Sequence, residues 1–383
     1  MHYYIKADKF FLRGGLKVGG YLEIVDGKFG SYTDEIPENI EILDLSGKMV
    51  APGLVDTHIH GYLNHDIMDA DLEGLKIISE GLPSMGVTSY LPTTLTADRQ
   101  LLGKVSKLIG DNYKEISGAK IRGIFFEGPF FTEKYKGAQN PEYFSDPDIK
   151  IFDEWQKLAN GLIKKIAIAP ERKGVEEFIK YVTSKGVHVA LAHSAATYDE
   201  AINAVRAGAD IFVHTYNAMS GLHHRDPGMV GAAMNSDEAT CELICDGHHV
   251  HPAAAKILVR IKTPNKVALI TDCMRAGGMP DGDYVLGEFP VVVKGGTARL
   301  KSDGNLAGSI LKLYEGVQNA IDWNIATVED AIKMGSYVPA KSVGIDNVCG
   351  SIAPGYDADF IVIDKDIILQ ETYIDGKKVY SRK

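Results

Sequence analysis

Residues 48–61 read Lys48-Met-Val-Ala-Pro-Gly-Leu-Val-Asp-Thr-His58-Ile-His60-Gly61. The apolar part of this segment predicts a buried strand over residues 49–56. Side chains alternate between the two faces of a strand, so His58 and His60 lie on one face at its end. Two imidazoles beside Asp56 form half of a metal site. A His-x-His pair alone is as typical of core or solvated histidines, so the prediction depends on ligands at the ends of later strands.

Similar apolar segments recur along the chain, and helix-like segments separate most of them. With 49–56 there are eight predicted strands, the others being residues 88–93, 121–127, 165–169, 188–193, 211–214, 241–246 and 266–272. The predicted helices are residues 71–85, 96–109, 175–185, 198–207, 252–261 and 311–322. Near-continuous apolar strands are typical of a parallel sheet that is covered on its outer face. This alternation of eight strands with helices predicts an α/β fold, namely a (β/α)8 TIM-type barrel.

The two ends of the chain have a different pattern. Short, partly alternating segments punctuated by glycine pairs fill residues 1–50, and the same texture returns after residue 346. Neither piece alone is long enough to bury a sheet face. We therefore expect residues 1–50 and 346–383 to form one small, discontinuous β-sandwich domain, and residues 51–345 to form the barrel domain. The glycine-rich stretch 281–307 is expected to be a β insertion over the mouth of the barrel.

Composition narrows the classes of partner. The 383-residue chain is 45% hydrophobic and carries a formal net charge of −10, which disfavours nucleic acid or an anionic membrane surface as the main partner. No apolar run reaches the ~18 residues of a membrane helix, and the N-terminus has no signal-peptide pattern. The four cysteines include no Cys-x-x-Cys pair, which suits a reducing compartment. We expect a cytoplasmic protein.

Metal-type side chains stand at the ends of six of the eight predicted strands. They are His58 and His60 on the first strand, Glu127 on the third, His193 on the fifth, His214 on the sixth, Asp246 with His248 and His249 on the seventh, and Asp272 on the eighth. Barrel enzymes place their catalytic groups at this end of the strands. Together these groups predict a divalent metal site, and the chemistry of such a site is metal-assisted hydrolysis.

The predicted donor set is compatible with several kinds of divalent cation. Three or more nitrogen and oxygen ligands with an open position suit zinc, and a carboxylate such as Glu127 can bridge two ions. Oxygen-rich ligation also admits iron, cobalt or manganese. His58 and His60 either hold a second ion or complete the first site. Asp272 is the predicted general acid and base, which takes a proton from the attacking water and gives it to a leaving amine.

Seven longer motifs run in order from residue 126 to residue 359. They are Phe126-Glu127-Gly-Pro-Phe130, Ala192-His193-Ser-Ala-Ala-Thr197, His214-Thr-Tyr-Asn-Ala-Met-Ser220, Asp246-Gly-His-His249, Thr271-Asp272-Cys-Met-Arg-Ala-Gly-Gly-Met-Pro280, Leu306-Ala-Gly-Ser309 and Gly350-Ser-Ile-Ala-Pro-Gly-Tyr-Asp-Ala-Asp359. In these motifs the chain resembles the amidohydrolase superfamily and, within it, the family of N-acetylglucosamine-6-phosphate deacetylases. The last motif is shared by many amidohydrolases, whereas the Glu-Gly-Pro-Phe, Tyr-Asn-Ala-Met and Leu-Ala-Gly-Ser motifs are far more specific.

The resemblance implies hydrolysis of the acetamide of N-acetyl-D-glucosamine 6-phosphate to D-glucosamine 6-phosphate and acetate. It implies Glu127, His193 and His214 as ligands of the principal metal, with Asp272 as the general acid and base. Some members of the family lack the His-x-His pair and work with one metal. This chain keeps the pair, which favours a second ion on His58 and His60.

The resemblance also implies a substrate site and a homodimer in which the neighbouring subunit completes the phosphate site. The implied substrate-binding residues are Ala138, Gln139, Asn217, Ala218, Arg225, Asp246, His249, Leu306, Ala307 and Gly308. Ala138-Gln139 departs from the family pattern, because other members carry a histidine in this loop. Arg225 offers a bidentate fork for phosphate within the cationic cluster His223-His224-Arg225.

Three alternatives remain open on the sequence. The same chemistry on N-acetylgalactosamine 6-phosphate differs by the configuration of one hydroxyl group. A cyclic-amide hydrolase of the dihydroorotase type uses a carboxylated lysine at the end of strand four, whereas Lys164 and Lys165 lie at the start of that strand. A non-catalytic scaffold predicts eroded ligands or a lost Asp272, and all of these residues are present.

Overall fold

The computed structural model describes residues 1–35 and 40–383. Its strands are β1 His2–Leu12, β2 Gly15–Val18, β3 Tyr21–Val25, β4 Lys28–Thr33, β5 Ile42–Pro52, β6 Leu54–Ile59, β7 Gly61–Tyr62, β8 His65–Asp66, β9 Val87–Thr94, β10 Lys120–Ile121, β11 Ile124–Phe130, β12 Ile163–Ile168, β13 His188–Leu191, β14 Ile211–Phe212, β15 Thr240–Ile244, β16 Val267–Ile270, β17 Gly282–Leu286, β18 Phe289–Lys294, β19 Thr297–Leu300, β20 Phe360–Ile363, β21 Leu369–Ile374 and β22 Lys377–Ser381. Its α-helices are α1 Leu72–Gly81, α2 Arg99–Asn112, α3 Ile149–Leu158, α4 Val175–Ser184, α5 Tyr198–Ala207, α6 Gly228–Asn235, α7 Pro252–Lys262, α8 Leu313–Asp322, α9 Val328–Met334 and α10 Tyr337–Ser342.

Eight parallel strands form the predicted (β/α)8 barrel, in the order β6, β9, β11, β12, β13, β14, β15 and β16. The barrel closes where the end of β16 meets the end of β6. There the Asp272 amide donates to the His58 carbonyl at 2.9 Å, and the His60 amide donates to the Cys273 carbonyl at 2.8 Å. The closure therefore brings the predicted metal ligands of the first strand directly beside the predicted acid and base of the last.

The first barrel strand begins later than predicted. The sequence predicts one strand over residues 49–56, but the chain leaves the terminal sheet at the end of β5 and enters the barrel at the start of β6. Gly53 lies between them, and a Cβ atom on Gly53 would lie 2.1 Å from Thr88 Oγ1. The close approach of strand β9 therefore requires glycine at the point where the chain changes sheets.

Both chain ends build the second sheet. It runs in the order β22, β21, β20, β5, β1, β3 and β4, with β2 added against β1. Hydrogen bonds join all of its strands into one continuous sheet. Strands β4 and β20 are not neighbours in that sheet, but Phe29 of β4 packs on Phe360 of β20 with ring centroids 6.2 Å apart. The sheet thus curls over its own apolar core, as a sandwich does. The division of the chain into domains at residues 50 and 346 stays a prediction.

A cluster of charges joins the terminal sheet to the barrel. Lys120 of β10 donates to Asp357 and Asp359, both at 3.0 Å. Arg122 and Lys28 also pair with Asp357. We call these five residues the junction cluster.

The predicted insertion forms a separate antiparallel sheet of β17, β18 and β19, whose apolar residues pack with Leu95 and Met274. This packing places the insertion beside the carboxyl end of the barrel. Across the described ranges, no helix has the length and apolar character needed to span a bilayer.

Candidate active site

Six buried side chains converge at the carboxyl end of the barrel strands. Glu127, His193 and His214 form one set of potential metal ligands, here called the Glu127 group. His58, His60 and Asp272 form a second set, here called the Asp272 group. In each group the ligand atoms lie within 4.8 Å of one another. All six are residues that the sequence predicts as metal ligands or as the catalytic acid and base, and the structure brings them together.

Glu127 connects the two groups. Its Oε1 lies 3.3 Å from Nε2 of both His193 and His214, while its Oε2 lies 3.3 Å from Nε2 of His60. Asp272 Oδ1 lies 3.1 Å from the same His60 nitrogen. The carboxylate of Glu127 therefore occupies the position of a bridge between two neighbouring sites.

Three of these residues have left-handed backbone conformations. The φ angle is 46° at His193, 32° at His214 and 51° at Asp272. Non-glycine residues rarely adopt such angles, and strain of this kind collects where the surrounding structure needs a particular side-chain direction. Each residue lies two positions after the end of a barrel strand, so the strained turn aims its side chain across the barrel mouth instead of along the strand.

The hydrogen bonds of the four histidines fix which nitrogen faces the site. Nδ1 of His193, His214 and His60 donates to the backbone carbonyls of Tyr135, Asn217 and Thr93, at 3.0, 3.1 and 3.3 Å respectively. Nδ1 of His58 instead donates to a carboxylate, Glu242 Oε2, at 3.3 Å. Because these oxygens only accept, each Nδ1 carries a hydrogen, and in the neutral form of each ring Nε2 presents a lone pair to the site.

This donor set fits divalent metal ions. The Nε2 atoms of His193 and His214 lie 3.2 Å apart, as do those of His58 and His60. Two ligand atoms ~2.1 Å from a tetrahedral ion lie about 3.4 Å apart, so the spacing matches a shared cation. When a neutral ring carries its hydrogen on Nδ1, no hydrogen lies between the two Nε2 atoms of a pair. A cation bound between them would accept both lone pairs. The residues are therefore suited to hold a divalent metal.

Burial and charge shift the pKa values of the cluster in opposite directions. Burial lowers the pKa of His58, but the carboxylates of Asp272 and Glu127 outweigh it and raise that pKa to about 9. They likewise raise the pKa of His60 to about 10 against the effect of burial. Burial raises the pKa of Asp272, yet His58 and His60 lower it to about 2. Burial lowers the pKa of His214. Asp272 is therefore ionised at neutral pH.

The Glu127 group and Asp272 lie at the base of a pocket of about 490 Å³. The remaining lining residues are His60, Leu95, Lys134, Tyr135, Gly137, Ala138, Gln139, Asn217, Ala218, His249, Leu286, Arg299, Asn305, Leu306, Ala307 and Gly308. Most residues predicted to bind substrate thus face one cavity. Of the residues predicted to bind substrate, Asp246 and Arg225 do not line this cavity, and Gln139 lines it but is held by other protein groups.

Gln139 supports the metal-site carboxylate. Its Nε2 donates to Glu127 Oε2 at 2.7 Å, and its Oε1 accepts from the Thr96 amide at 2.8 Å. The side chain is 2% exposed. In this conformation both ends of the amide are occupied, so Gln139 fixes the orientation of Glu127.

Asp246 supports His249. Its Oδ2 accepts from His249 Nδ1 at 2.7 Å, and its Oδ1 accepts from the amides of His248 and His249 at 2.8 Å. Asp246 itself does not line the pocket. The geometry leaves Nε2 of His249 as the atom available to a ligand.

Arg225 lies on an exposed loop and is not part of the pocket lining of its own chain. Its Nη1 contacts His224 Nε2 at 2.8 Å, and the rings of His223 and His224 lie 4.3 Å apart. The two cationic side chains that do line the pocket are Lys134 and Arg299.

Sequence reasoning missed several contributors. Three further residues line the pocket: Lys134, Arg299 and Asn305. Lys134 follows Glu127 by seven residues, and Arg299 and Asn305 lie in the predicted insertion shortly before the motif at Leu306. Their closeness in sequence to predicted site residues was the only sign of this role. Glu171 accepts from Ser194 Oγ at 2.7 Å and from the Ala195 amide at 2.8 Å, which braces the turn that carries His193. Lys165 and Glu242 are charged residues within mostly apolar barrel strands, which signals a special role for each but does not show that they pair.

Over most of its length the chain is similar to known proteins, both in sequence and in structure. The model of the amidohydrolase family matches residues 49–379. The N-acetylglucosamine-6-phosphate deacetylase of Vibrio furnissii is 41% identical over 333 residues, 86% of this chain and 82% of that protein. The N-acetylgalactosamine-6-phosphate deacetylase of Escherichia coli O157:H7 is 37% identical over 378 residues, 98% of this chain and 99% of that protein. The structure of a mutant N-acetyl-D-glucosamine-6-phosphate deacetylase from Mycobacterium smegmatis in complex with N-acetyl-D-glucosamine-6-phosphate has a TM-score of 0.93 at 28% identity, covering 99% of this chain and 100% of that one.

Proposed function

The chain belongs to the amidohydrolase family, and we propose that it hydrolyses the acetamide of N-acetyl-D-glucosamine 6-phosphate to D-glucosamine 6-phosphate and acetate. The observation that carries this proposal is the convergence of the Glu127 group and Asp272 at the base of one pocket. The relatives from Vibrio furnissii and Mycobacterium smegmatis support the choice of substrate.

We propose the Glu127 group as the ligands of a principal ion, and His58 and His60 as the ligands of a second. Zinc is the first choice for the nitrogen-rich donor set, with iron, cobalt or manganese as alternatives. When bound, such an ion lowers the pKa of water and polarises a carbonyl oxygen. Gln139 and Glu171 would keep the carboxylate and the His193 turn in place for that ion.

Asp272 carries the proton in the proposed reaction. Its carboxylate lines the pocket beside the Glu127 group, so it can accept a proton from the water that attacks the acetamide carbon. As the carbon–nitrogen bond breaks, the same carboxyl group gives this proton to the leaving amine. One water is consumed, and the amine and acetate are the products.

The walls of the pocket orient the sugar. His249, held by Asp246, presents Nε2 to the ligand, and the segment from Leu306 to Gly308 lines the same pocket. We propose that Arg225 binds the phosphate. Because Arg225 does not line the pocket of its own chain, we propose a homodimer in which this loop acts on the neighbouring site. The four cysteines are all unpaired, which supports a cytoplasmic location.

A second candidate is the galacto epimer of the same substrate. The relative from Escherichia coli O157:H7 is an N-acetylgalactosamine-6-phosphate deacetylase that aligns with 98% of this chain. A cyclic-amide hydrolase is disfavoured, because Lys165 is fully buried below the site in an ion pair with Glu242.

The test compares three substrates. Purified protein is incubated with N-acetylglucosamine 6-phosphate, its galactosamine epimer and unphosphorylated N-acetylglucosamine, and acetate is measured with and without a chelator. We expect chelator-sensitive turnover of the glucosamine phosphate. A preference for the epimer would select the second candidate, and no turnover with any added metal would overturn both.

A further inference from the structure

An ion pair lies inside the barrel, beneath the metal-type residues. Lys165 on β12 is 0% exposed and Glu242 on β15 is 1% exposed. Lys165 Nζ donates to Glu242 Oε1 and, at 3.4 Å, to the Thr57 carbonyl, and it lies 3.6 Å from the centre of the Phe125 ring. Removing two charges from water costs enough that such pairs stabilise a fold no better than apolar residues of similar volume. Stability alone therefore does not account for this pair.

The second oxygen of Glu242 faces His58. Oε2 accepts from His58 Nδ1 at 3.3 Å, and His58 is 0% exposed. The other three site histidines hold their rings through backbone carbonyls, which the fold supplies whatever the side chain. The orientation of the His58 ring depends instead on the side chain of Glu242, and the positive charge of Lys165 compensates the charge of that carboxylate.

We propose that Glu242, held by Lys165, is a positioning residue for His58 and determines whether a second ion binds to the Asp272 group. This inference rests on the two-ion assignment of the proposed function. The Glu242 carboxylate fixes the His58 ring so that Nε2 points towards His60 Nε2, 3.2 Å away. Losing a hydrogen-bond partner of a metal-bound histidine typically weakens metal affinity about 10–100-fold. Among the hydrogen bonds of the described residues Glu242 has none to the Glu127 group and reaches it only through His58, whose Nε2 lies 3.4 Å from Glu127 Oε1, so we expect the principal ion to be affected less than the second.

Two double variants separate the hydrogen bond from the charge pair. Lys165→Met/Glu242→Leu replaces the pair by apolar side chains, and Lys165→Met/Glu242→Gln removes the charges but keeps an oxygen that accepts from His58 Nδ1. Tyr90→Phe is the matched control, because it removes a fully buried hydroxyl of barrel strand β9 that bonds to Ser79 at 2.6 Å. Each protein is equilibrated with graded free Zn²⁺, and bound zinc per chain is measured by mass spectrometry, with melting temperature as the test of folding.

We expect two ions in the native chain and in Tyr90→Phe. We expect the leucine variant to bind the second ion about 10–100-fold more weakly with a smaller change for the first ion, and the glutamine variant to recover most of that loss. Equal second-ion affinity in the two double variants, or equal weakening of both ions, would overturn the positioning role. A native chain that binds no zinc would instead contradict the proposed function.

If the leucine variant does not fold, Glu242→Asp tests the same point. It keeps the charge for Lys165 but withdraws the carboxylate from His58 by one methylene. We expect a weaker second ion at native melting temperature, and unchanged second-ion affinity would overturn the proposal.

Discussion

Two clusters of buried acidic residues in this molecule are neutralised in different ways. In the junction cluster, Asp357 pairs with Lys28, Lys120 and Arg122, which the chain itself provides. At the barrel mouth, within residues 1–35 and 40–383, Glu127 and Asp272 form ion pairs with histidines and with no lysine or arginine.

The difference distinguishes a structural cluster from a binding site. Cations of the junction cluster hold the pKa of Asp357 well below its usual range, although burial acts against them. At the mouth, charge balance without a bound cation depends on His58 and His60, whose pKa values the carboxylates raise. A divalent cation bound to the same histidines would supply the positive charge that lysine and arginine supply in the junction cluster.

Removing a ligand of the Glu127 group should have the largest effect. A bound ion contributes several kcal/mol to the transition state, and each 1.4 kcal/mol is a factor of ten, so we expect His214→Ala to lower kcat by more than about 10³-fold. Zinc content should fall with activity. Full activity in a variant that binds no zinc would remove the distinction between the two clusters.

Asp272→Asn should come next. Loss of a general acid and base typically costs about 10²–10⁴-fold in kcat, and we expect the principal ion to remain bound because Asp272 is not in the Glu127 group. Steady-state kinetics and zinc content measured on one preparation test this. Loss of the principal ion together with activity would show that Asp272 is mainly a ligand.

A change in the junction cluster should affect stability and leave chemistry alone. Asp357→Asn leaves charged partners unsatisfied, and we expect it to lower the free energy of unfolding by about 1–3 kcal/mol with kcat nearly unchanged. The denaturation midpoint and the acetate-release rate are the two readouts. A large loss of kcat in folded protein would mean that the junction belongs to the site.

Asp357→Asn also tests how the stabilising effect of Asp357 depends on pH. Because the pKa of Asp357 is lower in the folded than in the unfolded protein, its stabilisation is present above the unfolded value and is lost as pH falls. The difference in melting temperature between the native chain and Asp357→Asn should therefore be full near pH 6 and shrink below about pH 4. A difference that grows on acidification would reverse the assignment.

The smallest expected effect concerns the phosphate. Arg225→Gln should raise KM for the phosphorylated sugar about tenfold, since an exposed charged hydrogen bond is worth about 1.4 kcal/mol, and it should not change turnover of the unphosphorylated sugar. Arg299→Gln is the matched comparison at the rim of the pocket and should change KM less. The opposite ranking would assign the phosphate to the chain's own insertion.

The sequence predicts the barrel and the convergence of its ligands because both follow from local patterns. Apolar strands in series and a ligand after each strand place His58, Glu127 and Asp272 at one edge without knowledge of any long-range contact. The helix of residues 198–207 coincides with α5, whose capping box of Thr197 and Glu200 marks its start.

Features that depend on contacts across the fold were not predictable in this way. Helix α6 is buried around most of its surface, so it lacks the one-sided apolar pattern of an exposed helix. The contact of Gln139 with Glu127 joins residues twelve positions apart through a loop with no periodicity. The pairing of Lys165 with Glu242 depends on which strands lie opposite each other inside the barrel.

Direct measurement of metal binding tests the central claim that the mouth cluster is completed by a cation. Chelator-treated protein is titrated with Zn²⁺ by calorimetry, using the native chain, His193→Ala/His214→Ala and Asp357→Asn. We expect the native chain and Asp357→Asn to bind the same number of ions tightly, and the double histidine variant to lose the principal ion while the His58–His60 pair remains. Absence of binding to the native chain, or an unchanged number of tightly bound ions after loss of both histidines, would contradict this claim.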